Sequence, residues 1–225
     1  MVLRLRERVM GNKVELMNQT RGLLSDYGIT IPQGAKALKA ALHEVGEGKY
    51  PGLQGLVYEE LMVLYDELLG IEGRVERYTR MLAEYAKTDD ACQRLMTIPG
   101  IGPLSSVALV SKVGDCEQFK NGKKLASWLG LTPHVSSSGQ TCHMGKISKR
   151  GDVRLRALLV HGARSYLQKA GKDTGPYAEW SSQLKTRLGH VNKAVIALAN
   201  KNARIACALL KHGGTFDSEL ACMSR

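Results

Sequence analysis

Residues 57–85 read VYEELMVLYDELLGIEGRVERYTRMLAEY, and their spacing predicts the fold of the first part of this chain. Apolar side chains recur from Val57 to Tyr85 at alternating gaps of four and three residues. This heptad spacing, kept over about four heptads, is typical of a coiled-coil seam, and the charged residues fall off the seam. Gly70 and Gly73 weaken the middle of the pattern. The stretch predicts one long amphipathic helix.

A second helical pattern precedes the first. From Leu5 to Leu23 the same spacing returns, and the segment YGITIPQG at residues 27–34 ends it. Two seam positions of this stretch are polar, Asn12 and Gln19, and buried polar residues there can set register. We predict a helical hairpin over residues 1–90. It either closes on itself or pairs with a second copy of the chain, and the spacing leaves both arrangements open.

The excess of positive charge is confined to residues 91–225. The 225 residues contain 32 Lys and Arg against 21 Asp and Glu, a net charge of +11. Residues 1–90 carry 12 basic and 14 acidic residues, a net of −2, whereas residues 91–225 carry 20 and 7, a net of +13. A segment this basic usually has a polyanionic partner, most often nucleic acid. The alternative is a well-solvated basic surface. We predict a separate nucleic-acid-binding domain over residues 91–225.

Several classes of protein are excluded by composition. No apolar run approaches the roughly 18–20 residues needed to cross a bilayer, and the charged N-terminus does not resemble a secretory signal. The five cysteines form no CxxC pair, which predicts reduced thiols in a cytoplasmic protein. The dispersed histidines predict no metal site.

The most informative turn lies in residues 95–110, LMTIPGIGPLSSVALV. Its Ile-Pro-Gly-Ile-Gly-Pro centre stands between two apolar helical stretches and resembles the helix-hairpin-helix motif of DNA-repair and recombination proteins. Gly100 and Gly102 would adopt backbone angles closed to other residues and bring helix-start amides close to a phosphate. Such contacts bind the DNA backbone rather than its bases. The alternative is a turn that joins two core helices.

A run of three serines marks residues 133–152, PHVSSSGQTCHMGKISKRGD. A serine hydroxyl needs activation before it acts as a nucleophile, and nearby cations can stabilise a phosphoryl-transfer transition state. From the residues alone this stretch is a loop, made phosphate-facing by its cations, and Asp152 caps the helix that follows. The candidate DNA-binding cations are Lys120, Lys123, Lys124, Lys146, Lys149, Arg150, Arg154 and Arg156.

Taken in order, these motifs resemble the IS110 family of bacterial insertion-sequence transposases. The matching blocks are LMTIPGIG at 95–102, Phe119, LASWLGLTP at 125–133, SSG at 137–139, GKISKRGD at 145–152 and the Leu-Arg pair at 155–156. The segment NQTRGLL at 18–24 also resembles the family's coiled-coil region. The resemblance implies a mainly α fold, in which a coiled-coil hairpin precedes a compact helical transposase domain with a helix-hairpin-helix motif.

The resemblance also implies a chemistry. These enzymes are DNA recombinases directed by a guide RNA, and a serine attacks a DNA phosphodiester to form a covalent link that permits rejoining without ATP. By position the nucleophile is Ser138, next to Gly139, and Ser137 is the alternative. Gln140 stands where the family often has a second glycine. The implied partners are DNA, guide RNA and further copies of the chain through the coiled coil.

One departure from the family pattern concerns metal. The family begins with a RuvC-like domain whose acidic residues bind Mg²⁺, and this chain starts at residues that resemble the coiled coil. We therefore expect a truncated chain that holds no metal itself, binds nucleic acid and cleaves it weakly or not at all. Two readings without catalysis stay open. One is a nucleic-acid-binding dimerisation module, in which Ser138→Ala would change nothing, and the other is a structural adaptor, which leaves the basic half unexplained.

Overall fold

The computed structural model describes residues 1–138, 141–169 and 174–223, and this part of the chain is mainly helical, as predicted. None of its helices is both long and apolar enough to cross a membrane. The elements are α1 Val2–Asp26, α2 Ala35–Gly46, α3 Leu56–Thr88, α4 Asp90–Met96, α5 Pro103–Val113, α6 Gly122–Trp128, β1 Pro133–Ser138, β2 Thr141–Ile147, α7 Val153–Lys169, α8 Pro176–Leu188, α9 Val191–His212 and α10 Ser218–Met223. The chain forms two compact units, Met1–Leu82 and Ala83–Arg225.

The first unit has one core shared by α1, α2 and α3. Its largest fully buried side chains include Leu24, Leu38 and Leu68, one from each helix. The predicted long helix is present as α3, and several of its heptad positions are buried. Asn12 and Gln19 on α1 are exposed, so neither occupies a buried seam position within the chain. The reason is that the buried stripe of α1 follows Leu3, Val9, Leu16, Thr20 and Leu24 instead.

A charged group also joins the three helices of the first unit. The Glu72 carboxylate of α3 accepts from the Lys13 and Lys39 ammonium groups, each at 2.7 Å. Burial acts to raise the pKa of Glu72, but the hydrogen bonds from Lys13 and Lys39 outweigh it and hold this pKa below its usual value. The paired carboxylate therefore stabilises this packing when it is ionised.

The second unit is built around α9. Helices α4, α6, α7 and α8 pack against α9, and α5 packs on α4 and α7. Buried alanines on α9 allow these neighbours to approach closely, and they include Ala194, Ala199, Ala203 and Ala206. Gly122 of α6 shows how close one approach is, because a Cβ atom there would lie 2.7 Å from the Arg204 backbone. This packing positions the helices α6 and α7, which carry several of the candidate DNA-binding cations.

Two features of the second unit differ from the sequence predictions. Cys116 and Cys207 form a disulfide between the α5–α6 connection and α9, with their Cα atoms 5.6 Å apart, where we predicted reduced thiols. These cysteines are 91 residues apart in sequence, so only tertiary packing brings them together. Strands β1 and β2 pair antiparallel where a loop was predicted, and we call this pair of strands the serine hairpin. The one local signal for it was weak: a two-residue gap between the strands that begins with Gly139.

Candidate functional site

The serine run lies at the end of a β-strand. Ser137 pairs with Cys142 and Ser138 with Thr141 across the antiparallel hairpin of β1 and β2. The side chains of Ser137 and Ser138, and all of Gly139 and Gln140, lie outside the described part of the structure. The backbone thus places both candidate nucleophiles directly before the connection between the strands. Which of the two serines is the nucleophile stays a prediction.

The base of this hairpin is closed by backbone contacts. Two backbone hydrogen bonds cross it, from Ser148 N–H to the Thr132 carbonyl at 2.9 Å and from Lys149 N–H to the Gly130 carbonyl at 3.2 Å. The irregular register between Pro133 and Val135 marks where the strands emerge from it. We call residues 128–132 and 148–152 the hairpin base.

Two glycines make the close approach within the hairpin base possible. Gly130 has φ +70°, and a Cβ atom there would lie 2.2 Å from the Arg150 carbonyl oxygen. Gly151 has φ +84°, and its Cβ atom would lie 1.8 Å from the Trp128 carbonyl oxygen. Real Cβ atoms do not come so close to a backbone oxygen, and this region of φ is costly for other residues. The glycines at 130 and 151 are therefore requirements of the packed base.

Arg156 links the two sides of the hairpin base. Its side chain on α7 is buried, and its guanidinium donates to the carbonyl oxygens of Leu129 at 2.9 Å and Arg150 at 3.0 Å. We predicted a DNA contact for Arg156, but the structure engages its guanidinium inside the protein. Arg154, two residues earlier, is exposed. The sequence held a signal for this difference, because Arg156 lies three residues before the buried Leu159 and therefore on the same face of α7.

Asp152 begins α7 as predicted and makes an ion pair that the sequence did not suggest. One carboxylate oxygen accepts from the Leu155 N–H at 2.8 Å, which caps the helix. The other accepts from the Lys112 ammonium of α5 at 2.5 Å. Burial acts to raise the pKa of Asp152, but these two hydrogen bonds outweigh it and lower the pKa from its usual value. Asp152 thus fastens the end of the hairpin base to α5.

The predicted DNA-binding cations fall on more than one element. Lys146 on β2 and both Lys149 and Arg150 in the hairpin base are exposed, next to the serine hairpin in the chain. Arg154 is exposed one helical turn later. The remaining three, Lys120, Lys123 and Lys124, are exposed at the start of α6. The hairpin and its base therefore carry a group of cations that solvent can reach.

The glycine-rich turn between α4 and α5 packs against the core. Gly100 has φ +88°, and its added Cβ atom would lie 2.9 Å from the Gly162 carbonyl oxygen of α7. The Asn202 amide of α9 donates to the Pro99 carbonyl at 2.8 Å. Gly102 has φ −102° and open space around it, so the expected need for glycine holds at Gly100 and fails at Gly102. The helix-hairpin-helix assignment and phosphate contact stay predictions.

The magnesium that the resemblance implies has no cluster of three or more ligating side chains among the described residues. No group of three or more His, Cys, Asp and Glu side chains in that part of the chain is arranged to hold a metal ion.

Comparison with known proteins identifies the family. The model of the Transposase IS116/IS110/IS902 family matches residues 92–178, and a protein of Coxiella burnetii named "Transposase for insertion sequence element IS1111A" is 38% identical over 215 residues. This chain belongs to the IS116/IS110/IS902 transposase family. The match to the family model includes the glycine-rich turn, the serine hairpin, its base and all of α7.

Other family members support the assignment. A "Probable family 20 transposase" of Pseudomonas aeruginosa is 39% identical over 208 residues, and the "Transposase for insertion sequence element IS1328" of Yersinia enterocolitica is 34% identical over 213 residues. The alignments to the Coxiella, Pseudomonas and Yersinia proteins cover 96%, 92% and 95% of this chain, and 59%, 61% and 63% of those relatives. The chain thus spans about three fifths of the length of these family members.

Proposed function

We propose that this chain acts in the transposition of an insertion sequence by cutting and rejoining DNA, with Ser138 as nucleophile and Ser137 as the alternative. The observation that carries the proposal is the position of these residues on the hairpin. They stand at the end of β1, and both ends of the hairpin enter a base held by Gly130, Gly151 and Arg156. A nucleophile works best when the surrounding fold fixes its position before the substrate arrives.

The proposed reaction is a transesterification. The serine oxygen forms a bond to phosphorus while the bond from phosphorus to one sugar oxygen breaks. The serine hydroxyl loses its proton and the departing sugar oxygen gains one, so the number of phosphate ester bonds is unchanged. A DNA hydroxyl can reverse this step on the same or another strand, which rejoins DNA without ATP. Cations such as Lys146, Lys149 and Arg150 would stabilise the negative charge on the phosphate oxygens.

DNA is the proposed substrate because residues 91–225 carry a net charge of +13 and the hairpin cations are exposed. The glycine-rich turn at 98–103 and the lysines of α6 are further candidate backbone contacts. Arg156 is left out of this set, since its guanidinium is occupied by two carbonyl oxygens. The proposal includes two further partners. A guide RNA selects the DNA, and several copies of the chain assemble through the first unit.

A covalent-trapping experiment tests the nucleophile. The full chain is incubated with labelled element-end DNA, Mg²⁺ and the element's non-coding RNA, and protein–DNA adducts are separated on a denaturing gel. A second arm adds the full-length Coxiella burnetii relative with alanine at the position that aligns with Ser138. That protein can supply parts that the shorter chain does not cover, but it cannot form the adduct itself. Ser136→Ala is the matched control for Ser137→Ala and Ser138→Ala.

We expect an adduct that survives Ser136→Ala and is lost in Ser138→Ala. Loss of the adduct in Ser137→Ala alone would identify Ser137 as the nucleophile and leave the rest of the proposal unchanged. An adduct that persists in all three variants, or its absence from both arms while DNA binding is retained, would overturn the serine mechanism. The chain would then be a nucleic-acid-binding module, the second function that the sequence left open.

A further inference from the structure

A second basic surface lies away from the serine hairpin in sequence. Residues 180–216 contain six Lys and Arg and no Asp or Glu. Four cationic or titratable side chains of this segment are exposed around the connection of α8 to α9, and we call them the α8–α9 corner: Lys185, Arg187, His190 and Lys193. None of them is part of the DNA-contact set proposed above.

The α8–α9 corner has a defined shape. Helix α8 ends at Leu188 and α9 begins at Val191, with Gly189 in the left-handed conformation at φ +65°. The His190 Nδ1 atom accepts from the Asn192 N–H at 3.1 Å and so caps α9. Lys185 and His190 line one groove together with Thr186, Gly189 and Val191. The short connection and the cap hold the cationic residues on a rigid frame.

A cation from α7 reaches the same place. The Arg164 guanidinium donates to the Asn192 side-chain oxygen at 3.1 Å, and Asn192 lies in the first turn of α9. Arg164 is exposed, so its positive charge adds to that of the corner. The ion pairs found among the described residues do not include Lys185, Arg187 or Lys193. Within residues 1–138, 141–169 and 174–223, no carboxylate therefore forms an ion pair with these three cations.

Lys193 destabilises the start of α9. The first turn of a helix carries a partial positive charge, so acidic residues are favoured there and a lysine costs a few tenths of a kcal/mol. The first turn of α9 holds Lys193 and no acidic residue. A residue that destabilises its own helix is expected where that residue binds a ligand. An approaching anion would be attracted both by Lys193 and by the partial positive charge of the helix start, which offsets this cost.

The chemistry of the α8–α9 corner fits a duplex backbone. Residues 181–215 include no Phe, Tyr or Trp, the large aromatic side chains on which unpaired bases stack, and the ring of His190 is engaged as the cap of α9. Lysine and arginine side chains on a rigid frame suit the regular phosphates of a double helix instead.

We propose that the α8–α9 corner binds the phosphate backbone of duplex DNA, as a second contact surface beyond the serine hairpin. The proposal rests on the proposed function, since it takes DNA as the substrate. Its partner is double-stranded DNA of any sequence, and its role is to hold a DNA segment rather than to react with it. Removing this surface should therefore weaken binding and reduce its salt dependence without changing the nucleophile.

Charge-matched variants of the full chain test this surface. The corner variant carries Lys185→Gln, Arg187→Gln and Lys193→Gln, and the control variant carries Arg4→Gln, Arg8→Gln and Lys36→Gln at exposed positions of the first unit. Both lose three positive charges. Fluorescence anisotropy measures the affinity of each for a 30-base-pair DNA duplex, for single-stranded DNA and for a duplex RNA over a salt series, and circular dichroism checks folding.

We expect the corner variant to bind duplex DNA roughly tenfold or more weakly at physiological salt, with the slope of log K against log salt reduced by about 2 to 3. The control variant should keep nearly the full slope. Equal losses in both variants, no loss in the corner variant, or a loss confined to RNA would overturn the proposal. Covalent trapping is scored separately, since an adduct that depends on Ser138 can form at high protein concentration even when corner binding fails.

Discussion

The Arg156 guanidinium donates a hydrogen bond to the Leu129 carbonyl oxygen at 2.9 Å, across 27 residues of sequence. Because the same nitrogen also donates to the Arg150 carbonyl oxygen, one side chain of α7 holds both sides of the hairpin base. A buried arginine with two backbone acceptors is a structural element of the domain. Its neighbour Arg154, which has the same side chain but is exposed, provides a natural comparison.

Replacing Arg156 by methionine should lower the free energy of unfolding by about 2–4 kcal/mol, because two carbonyl oxygens of the hairpin base lose a charged donor. Arg154→Met removes the same charge from an exposed position and should change that free energy by about 0.5 kcal/mol or less. Urea unfolding monitored by circular dichroism measures both. Similar losses in the two variants would contradict the assigned role of Arg156.

Gly151→Ala should destabilise the second unit more than a change of backbone preference alone can explain. The new Cβ atom would lie 1.8 Å from the Trp128 carbonyl oxygen, so the two sides of the hairpin base must separate. Gly189→Ala is the matched control, because Gly189 also has positive φ, at +65°, but has open space around it. We expect a loss of about 1 kcal/mol at Gly189 and at least about 3 kcal/mol at Gly151, measured by thermal unfolding. Equal losses of unfolding free energy in Gly151→Ala and Gly189→Ala would show that the hairpin base can accommodate a Cβ atom at residue 151.

Asp152→Asn should destabilise the chain at neutral pH and much less in acid. Asparagine can still cap α7, but it loses the charge that pairs with Lys112. The folded-state pKa of Asp152 is lowered, so its contribution is present above the unfolded-state pKa and is lost as the pH falls through the folded-state pKa. We expect a difference of about 1 kcal/mol at pH 7 that begins to shrink only when the pH falls below the usual Asp pKa of about 3.9, measured by urea unfolding from pH 7 into acid. A difference that stays constant with pH would exclude the carboxylate charge as its cause.

The Cys116–Cys207 disulfide should be detectable in purified protein that has not been exposed to a reductant. We expect mass spectrometry of a non-reduced digest to find these two peptides joined. Reduction should lower the free energy of unfolding by about 2–4 kcal/mol, because the link closes a long loop of the unfolded chain. Cys92→Ser serves as a control variant. Cys92 is a free thiol, so its replacement should leave the linked peptides unchanged. Alkylation of both Cys116 and Cys207 without prior reduction would show that the pair is not joined.

Much of the helical structure was predictable because its signals are local. The heptad spacing after Val57 predicted α3, and Asp152 before an apolar stripe predicted the start of α7. The hairpin of β1 and β2 was missed because short strands have weak local signals, and a run of serines is as common in loops. Gly102 shows the opposite error, since a glycine next to a proline suggested a special conformation that its φ of −102° does not require.

The sequence by itself determined the mainly helical fold, the concentration of positive charge after residue 90 and the family, because composition, periodicity and ordered motifs are properties of the chain alone. Only the tertiary structure decided that Arg156 is buried while Arg154 is exposed, and that Cys116 meets Cys207. It also decided that the serine hairpin rests on a base made by two glycines. These relationships depend on which surfaces meet when α6, α7 and α9 pack. The contacts join residues far apart in sequence, where no local pattern records them.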